Sequence, residues 1–218
     1  MGLVVVPSAA SAQVSIWLQR GVSGFGASGS ISYNNQATVY GVDGGYSYQG
    51  FLDFDLGLYY VSVPNDKQIP GLEDLKTYVV APGFQYHPLK QSKDIPISLS
   101  IGATFQKYFF QSDSLNNADA TLDTWALTVN VAVYRFFRLG ENTGVIPAAS
   151  AVFTHGETTL TEPGFQDATG SSDDFGLGLG AYFAYIDDGG RIYGLVPSVT
   201  IGDHVTVALT FGVVWSKL

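Results

Sequence analysis

The stretch DFGLGLGAYFAY, residues 174–185, alternates between two kinds of side chain. One parity carries Phe175, Leu177, Leu179, Ala181, Phe183 and Tyr185, and the other carries three glycines with Tyr182 and Ala184. Successive side chains of a β-strand point to opposite faces of the sheet. The stretch therefore predicts a strand with one continuous apolar face and one face of mostly small residues.

The same alternation recurs along most of the chain. It is found in residues 51–60, 95–109, 122–134 and 204–215. Lys107 is the one polar residue on the apolar face of its segment, and it lies near the strand end, where its long side chain can reach water. Because no helical periodicity of comparable quality is present, we expect an all-β protein.

The faces opposite the apolar ones distinguish a soluble sheet from a membrane sheet. They carry mostly Gly, Ser, Thr, Ala and Asn, whereas a sheet facing bulk water would carry Lys, Glu, Asp and Arg there. A continuous aliphatic face with aromatics near the segment ends is typical of strands that cross a bilayer. Since lipid cannot satisfy backbone amides, such strands must close into a barrel.

The composition supports this interpretation. Charged residues make up only 13% of the chain, against about a quarter in ordinary soluble domains. No stretch approaches the ~20 consecutive apolar residues of a membrane helix. The net charge of −9 argues against nucleic-acid binding. The chain has no Cys and three His without metal-ligand spacing, so we expect no disulfide, metal site or cofactor.

We expect ten strands, an even number as in single-chain bacterial barrels. Their predicted bounds are 14–21 (with an extension to 33 as an alternative), 37–48, 51–61, 75–87, 95–109, 122–136, 144–154, 174–186, 191–201 and 204–215. Pro147 counts against the strand at 144–154, so eight strands are the alternative.

The predicted connections differ in length. Short ones lie near 49–50, 88–94, 137–143 and 187–190, and longer polar ones lie at 22–36, 62–74, 110–121 and 155–173. The last hairpin, at 202–204, is short and breaks this alternation. Because short turns are normally periplasmic and long loops extracellular, we expect both chain ends on the periplasmic side.

With these strands, residues 14–215 resemble the small bacterial outer-membrane barrels of the OmpA, OmpX and OmpW type, without features of one specific family. The last strand resembles their C-terminal assembly signal, although three residues follow Trp215. The resemblance implies a transmembrane antiparallel up-and-down β-barrel in contact with membrane lipid. It also implies recognition by the barrel-assembly machinery during insertion.

Residues 1–12 resemble the tail of a secretory signal peptide. A short apolar run precedes Pro7, and Ala10 and Ala12 form a small-x-small pattern before Gln13. The alternative is a short apolar strand or a flexible tail. We therefore expect an exported chain with a single barrel domain at residues 13–218.

Acidic residues concentrate in the segments predicted to be extracellular. They are Asp66, Glu73, Asp74, Asp113, Asp119, Glu157, Glu162, Asp167, Asp173 and Asp203, opposed there only by Lys67. An acidic outer surface attracts cations, and divalent ions would bridge it to lipopolysaccharide phosphates. The alternative is that these acids only solubilise the loops.

Three aspartates have the parity of the barrel interior on two neighbouring strands: Asp43, Asp53 and Asp55. His87 and Arg138 share that parity and are candidate partners for them. The cluster is either a structural network, which we favour because small barrels are usually filled by side chains, or a cation-selective constriction. Seven glycines of interior parity add room for water or a slender ligand: Gly57, Gly83, Gly102, Gly176, Gly178, Gly180 and Gly212.

The sequence therefore leaves two functions open. The first is a narrow passive, cation-preferring channel or small-solute conduit. The second is a structural or surface-interaction barrel that acts through its acidic extracellular loops. An enzyme is not expected, because His155 and Glu157 fall in a predicted loop and the adjacent Asp203 and His204 cannot both face inward.

Overall fold

The computed structural model describes residues 14–64, 67 and 75–217, so the expected signal remnant lies outside the described residues. The strands are β1 (Ser23–Tyr33), β2 (Thr38–Tyr48), β3 (Leu52–Ser62), β4 (Lys76–Leu89), β5 (Ser98–Gln111), β6 (Thr121–Tyr134), β7 (Phe137–Arg138), β8 (Thr143–Thr161), β9 (Ala168–Ile186), β10 (Arg191–Ile201) and β11 (Val205–Lys217). Two short helices are α1 (Val14–Trp17) and α2 (Asp113–Asn117). Neither helix is long and apolar enough to cross a membrane.

The ten long strands form one closed antiparallel barrel, as predicted. Each pairs with its neighbour in the chain, β6 pairs with β8, and β1 pairs with β11 to close the ring. The two-residue β7 pairs only with the start of β8. Closure leaves each long strand with two neighbours, which is the condition for a sheet in lipid.

The barrel has two ends, the base and the rim. The base carries the entry into β1, the end of β11 and the connections 49–51, 90–97, 135–142 and 187–190. The rim carries the connections 34–37, 63–75, 112–120, 162–167 and 202–204.

The predicted first strand, 14–21, is wrong, and the alternative extension towards residue 33 comes closer to the structure. Residues 14–17 are helical, and the strand is Ser23–Tyr33, in the segment predicted as a long loop. Glycines and serines line the inner face of β1, while Phe25 and Ile31 point outward. Such a composition looks like a loop, but the partners on both sides make it a strand.

The predicted long loop at 155–173 is also wrong. The β8–β9 ladder continues from Phe153↔Phe175 to Leu160↔Ala168, and the connection shortens to residues 162–167. The apolar alternation stops near Phe153 because the hairpin leaves the hydrocarbon there. The hydrogen-bonded ladder continues into water.

Pro147 lies inside β8 without breaking it. Arg135 N donates to Pro147 O at 3.3 Å, but Pro147 has no N–H to return. The β6–β8 ladder accordingly ends at the preceding pair, Tyr134↔Ala148. The position without an N–H, Pro147, thus lies beyond the end of β6.

The outer wall is a continuous belt of exposed apolar side chains. Leu177, Leu179 and Phe211 are each more than 50% exposed, although they belong to regular strands. The buried side chains have the opposite parity and face the interior. A belt of this kind is stable only against lipid.

The turn between β2 and β3 allows a close backbone approach at the base. Gly50 has φ +64°, and a Cβ there would overlap Gln19 O. Gly21 N donates to Gln49 O at 2.9 Å. The segment before β1 is therefore anchored against this turn.

Two arginine substitutions on the outer face of β9 test the depth of the belt. Leu177→Arg should lower the free energy of unfolding by about 2–4 kcal/mol, because it places a charge in hydrocarbon. The measurement is urea unfolding in lipid vesicles, followed by tryptophan fluorescence.

Thr169→Arg is the matched control, since Thr169 lies on the same strand and the same outer face, eight residues nearer the rim. It should leave the unfolding free energy nearly unchanged. Equal losses in both variants would contradict the assigned belt.

Candidate functional site

The interior near the rim is organised around Tyr59. Its hydroxyl donates a hydrogen bond to Asp43 Oδ1, and the side chain is buried. A Cβ at Gly41 or Gly57 would overlap the Tyr59 side chain. These two glycines therefore accommodate the phenol ring rather than leave an open space.

Asp53 and His87 are brought together deeper in the barrel. His87 Nε2 lies 3.4 Å from Asp53 Oδ2, and both residues are only 1% exposed. His87 Nδ1 lies 2.8 Å from the Tyr134 hydroxyl. In a neutral imidazole with its proton on Nε2, Nδ1 accepts from the Tyr134 hydroxyl and the Nε2 proton faces Asp53.

Asp55 lies between the other two aspartates along the interior wall and is half-buried there. It pairs across the sheet with Gly45 and Gly83, and a Cβ at Gly83 would meet its carboxylate. Asp43 and Asp53 lie two residues to either side of the Gly45↔Asp55 pair, opposite Gly57 and Ser47. The three carboxylates thus share one patch of the interior wall on β2 and β3.

Arg138 is not a partner of this cluster. It lies in β7 and is exposed at the base, where Nε donates to Gly140 O at 3.0 Å and Nη2 donates to Glu141 O at 2.8 Å. The inward parity of β6 ends at Tyr134, because residues 135–142 form the turn to β8. The alternation of inward and outward side chains therefore does not extend to Arg138, and its predicted inward orientation is wrong.

Lys90 is the cation that sequence reasoning missed near Asp53. It follows β4 in the turn at the base, and its Nζ donates to Leu18 O at 3.2 Å. Burial lowers the pKa of Lys90 to about 8, and the nearby Asp53 charge opposes that change. Lys90 thereby connects the aspartate cluster to the segment that enters the barrel before β1.

That segment fills the interior at the base, and we call residues 16–18 the N-terminal plug. Leu18 packs against Ala184, Ile192 and Val214. The Trp17 ring contacts Tyr182 edge-on, with centroids 5.8 Å apart. A Cβ at Gly194 would meet the Trp17 ring at 3.0 Å, so this glycine also makes room for an aromatic side chain.

Two of the interior glycines lie against polar side chains of the neighbouring strands. The Cβ positions of Gly102 and Gly178 fall on the side chains of Asn130 and Ser150. Two small cavities lie on the β8–β11 side. One, of about 30 Å³, is bordered by Ser150, Gly178 and Ser198, and one of about 40 Å³ by Trp17, Ser28 and Gly212. Each has space for one or a few waters.

A polar patch interrupts the outer wall near the rim. His155 lies in β8, not in a loop, and its Nδ1 is 2.7 Å from Asp173 Oδ1 on β9. Lys107 forms an ion pair with Asp123, and the Trp125 ring contacts His155. The long β8–β9 ladder creates the His155–Asp173 pair, so only the register could have revealed it.

The polar groups do not converge on a metal site. In the ranges 14–64, 67 and 75–217, no group of three or more His, Asp or Glu is placed to hold a metal ion. Of the interior aspartates, Asp43 instead accepts a hydrogen bond from Tyr59, and Asp53 lies beside His87.

Comparison with known proteins identifies the fold but no family. No protein-family model matches the sequence, and no curated protein matches it. The β-domain of the Bordetella autotransporter BrkA is 13% identical, over 90% of this chain and 99% of that one, with a TM-score of 0.56. The attachment invasion locus protein Ail of Yersinia pestis is 11% identical, over 91% and 100%, with a TM-score of 0.42. The chain thus has the fold of the outer-membrane β-barrels.

Substitution of Tyr59 tests whether the interior network is structural. Tyr59→Ala should lower the free energy of unfolding by about 3–5 kcal/mol, because it empties the space beside Gly41 and Gly57. Tyr59→Phe keeps the ring and removes only the hydroxyl that serves Asp43, so it should cost about 1–3 kcal/mol. The measurement is urea unfolding in detergent micelles. Identical stability of both variants and the parent barrel would contradict the assignment.

Proposed function

We propose that this chain is an integral protein of a bacterial outer membrane, with a closed barrel as its membrane anchor and the rim as its working surface. The observation that carries the proposal is the occupied interior. Tyr59 fills the wall near the rim, and Trp17 and Leu18 fill the base. A solute path through the barrel would have to displace these side chains.

The charge distribution supports the rim as the working surface. Among the described residues, the rim carries nine acids against three lysines: Asp113, Asp119, Asp123, Glu157, Glu162, Asp167, Asp173, Asp174 and Asp203, against Lys67, Lys76 and Lys107. The base carries seven basic residues against four acids. Such a surface attracts cationic partners over a distance of ~8 Å at physiological salt.

We place the rim outside the cell and the base, with both chain ends, in the periplasm. Two of the rim connections, 63–75 and 112–120, are the longest of the barrel. Long connections are typical of the extracellular side of such barrels. On this orientation the acidic rim meets lipopolysaccharide and the surroundings of the cell, and divalent ions would link it to lipid phosphates.

A narrow conduit is the second candidate function. The observation in its favour is the pair of small cavities on the β8–β11 side, beside Trp17 and Tyr182. Movement of the N-terminal plug would connect this side to the base. The three interior aspartates would then favour cations.

Conductance in planar bilayers distinguishes the two candidates. The parent barrel should give no stable current steps, whereas the Trp17→Ala/Tyr59→Ala double variant should conduct, because it removes both obstructions. The double variant also controls for incorporation into the bilayer. Stable steps from the parent barrel, with cation preference lost on Asp43→Asn, Asp53→Asn and Asp55→Asn, would overturn the closed anchor.

Thiol labelling tests the orientation, and the absence of native Cys makes the experiment clean. Asp167→Cys at the rim should react with a membrane-impermeant maleimide on intact cells. Lys93→Cys at the base should react only after the outer membrane is permeabilised. The reverse pattern would invert the barrel.

A further inference from the structure

The β8–β9 hairpin leaves one sheet edge without a partner strand at the rim. β9 pairs with β8 from Ala168 to Tyr185, but its ladder with β10 ends at the pair Leu177↔Ile201. β10 and β11 are joined there by the short turn 202–204, which reaches Phe175 and the Asp174 side chain, where Asp203 N donates to Asp174 Oδ1 at 3.4 Å. Within the described part of the chain, no strand pairs with the outer side of residues 168–174.

The direction of the free backbone groups follows from bonds at the other end of β9. Ile186 N donates to Asn142 O on the β8 side, and Asp187 N donates to Arg191 O on the β10 side. Backbone groups alternate between the two sides of an antiparallel strand, and the β8–β9 register is regular throughout. The N–H and C=O groups of Thr169, Ser171 and Asp173 therefore point away from β8, towards the vacant position.

We propose that this edge binds an extended, basic polypeptide segment by strand addition. An exposed edge is a template for a further strand, because its unpaired N–H and C=O groups supply the ladder bonds. The proposal rests on the proposed function only in taking the rim as the working surface. It specifies the class of partner that this surface receives.

Charge complementarity determines the partner. Residues 155–176 and the turn 202–204 contain six acids and no Lys or Arg: Glu157, Glu162, Asp167, Asp173, Asp174 and Asp203. Asp173 and Asp174 lie on the edge segment itself, one on each face of the hairpin. A neighbouring strand would therefore place its side chains beside a carboxylate on both faces, which favours lysine or arginine there.

A second copy of this chain is disfavoured at the same edge. Two barrels with the same orientation in one membrane are related by an axis along the membrane normal, so their edges would pair as parallel strands. Asp173 and Asp174 of one copy would then approach the same residues of the other. Like charges directly opposite each other destabilise a strand pair, and the pair of acids thus disfavours self-pairing while favouring a basic segment.

The edge also lies outside the hydrocarbon, where a water-soluble partner can reach it. Outward-facing residues change from Leu177 and Phe175 to Asp173, Ser171 and Thr169 towards the rim. Residues 168–173 of β9 are exposed on both faces of the hairpin. A water-soluble peptide can reach this segment without entering hydrocarbon.

The test measures peptide binding to the full, folded barrel in neutral detergent micelles. The probe is a fluorescent peptide of about eight residues in which lysine alternates with threonine, and binding is followed by anisotropy. We expect it to bind, and we expect the same peptide with glutamate in place of lysine not to bind. We also expect loss of binding when alternate amides of the lysine peptide are N-methylated, because one edge of the peptide then has no donors.

Two substitutions at one position provide the matched pair. Ser171→Pro removes a free-edge N–H without removing one that faces β8, so binding should weaken about tenfold or more. Ser171→Ala keeps the N–H and should bind as the parent does. A heat-modifiable gel shift checks that both variants fold, and the N-methylated peptide tests the ladder on the parent barrel independently of that result.

Several outcomes would overturn the proposal. They are equal binding of the N-methylated and unmodified peptides, equal binding of the glutamate peptide, and no binding of the lysine peptide at about 1 mM. Sedimentation showing a dimer that Ser171→Pro abolishes would assign the edge to a second copy instead. A conducting parent barrel would overturn the closed anchor but leave these binding results standing, so the two proposals fail separately.

Discussion

The backbone hydrogen bond is the constraint on which the rest of this structure depends. In hydrocarbon an unpaired amide has no water to bond, so the sheet must close on itself. The β1–β11 ladder provides that closure along all eleven residues of β1. Where the strands leave the hydrocarbon, the constraint no longer applies, and the outer edge of residues 168–174 is without a partner strand there.

Closure also explains why the interior is crowded. A ten-strand barrel has limited space inside, and every second residue of each strand points into it. The aromatic side chains Tyr59 and Trp17 occupy that space by lying against glycines of the wall. The glycines of the wall thus make room for these two rings.

The arrangement of the interior polar groups follows from their burial away from bulk water. A carboxylate inside the barrel is stable only with hydrogen-bond donors close to it. Asp43 has the Tyr59 hydroxyl, and Asp53 has His87 beside it, with Lys90 near the base. At the rim water solvates exposed carboxylates, so among the described residues there acids outnumber lysines nine to three.

The sequence by itself determined the barrel, because a period of two with one lipid-compatible face permits almost no other structure. It also placed Asp43, Asp53 and Asp55 on one parity of neighbouring strands. It did not determine the first strand, where glycine and serine interrupt the apolar alternation, or the length of the β8–β9 hairpin, where polar and small residues replace it. Only the tertiary structure decided that Tyr59 and Trp17 fill the glycine space, that Arg138 lies outside the interior, and that His155 meets Asp173. These depend on register and on the curvature of the closed wall, which bring together residues far apart in the chain.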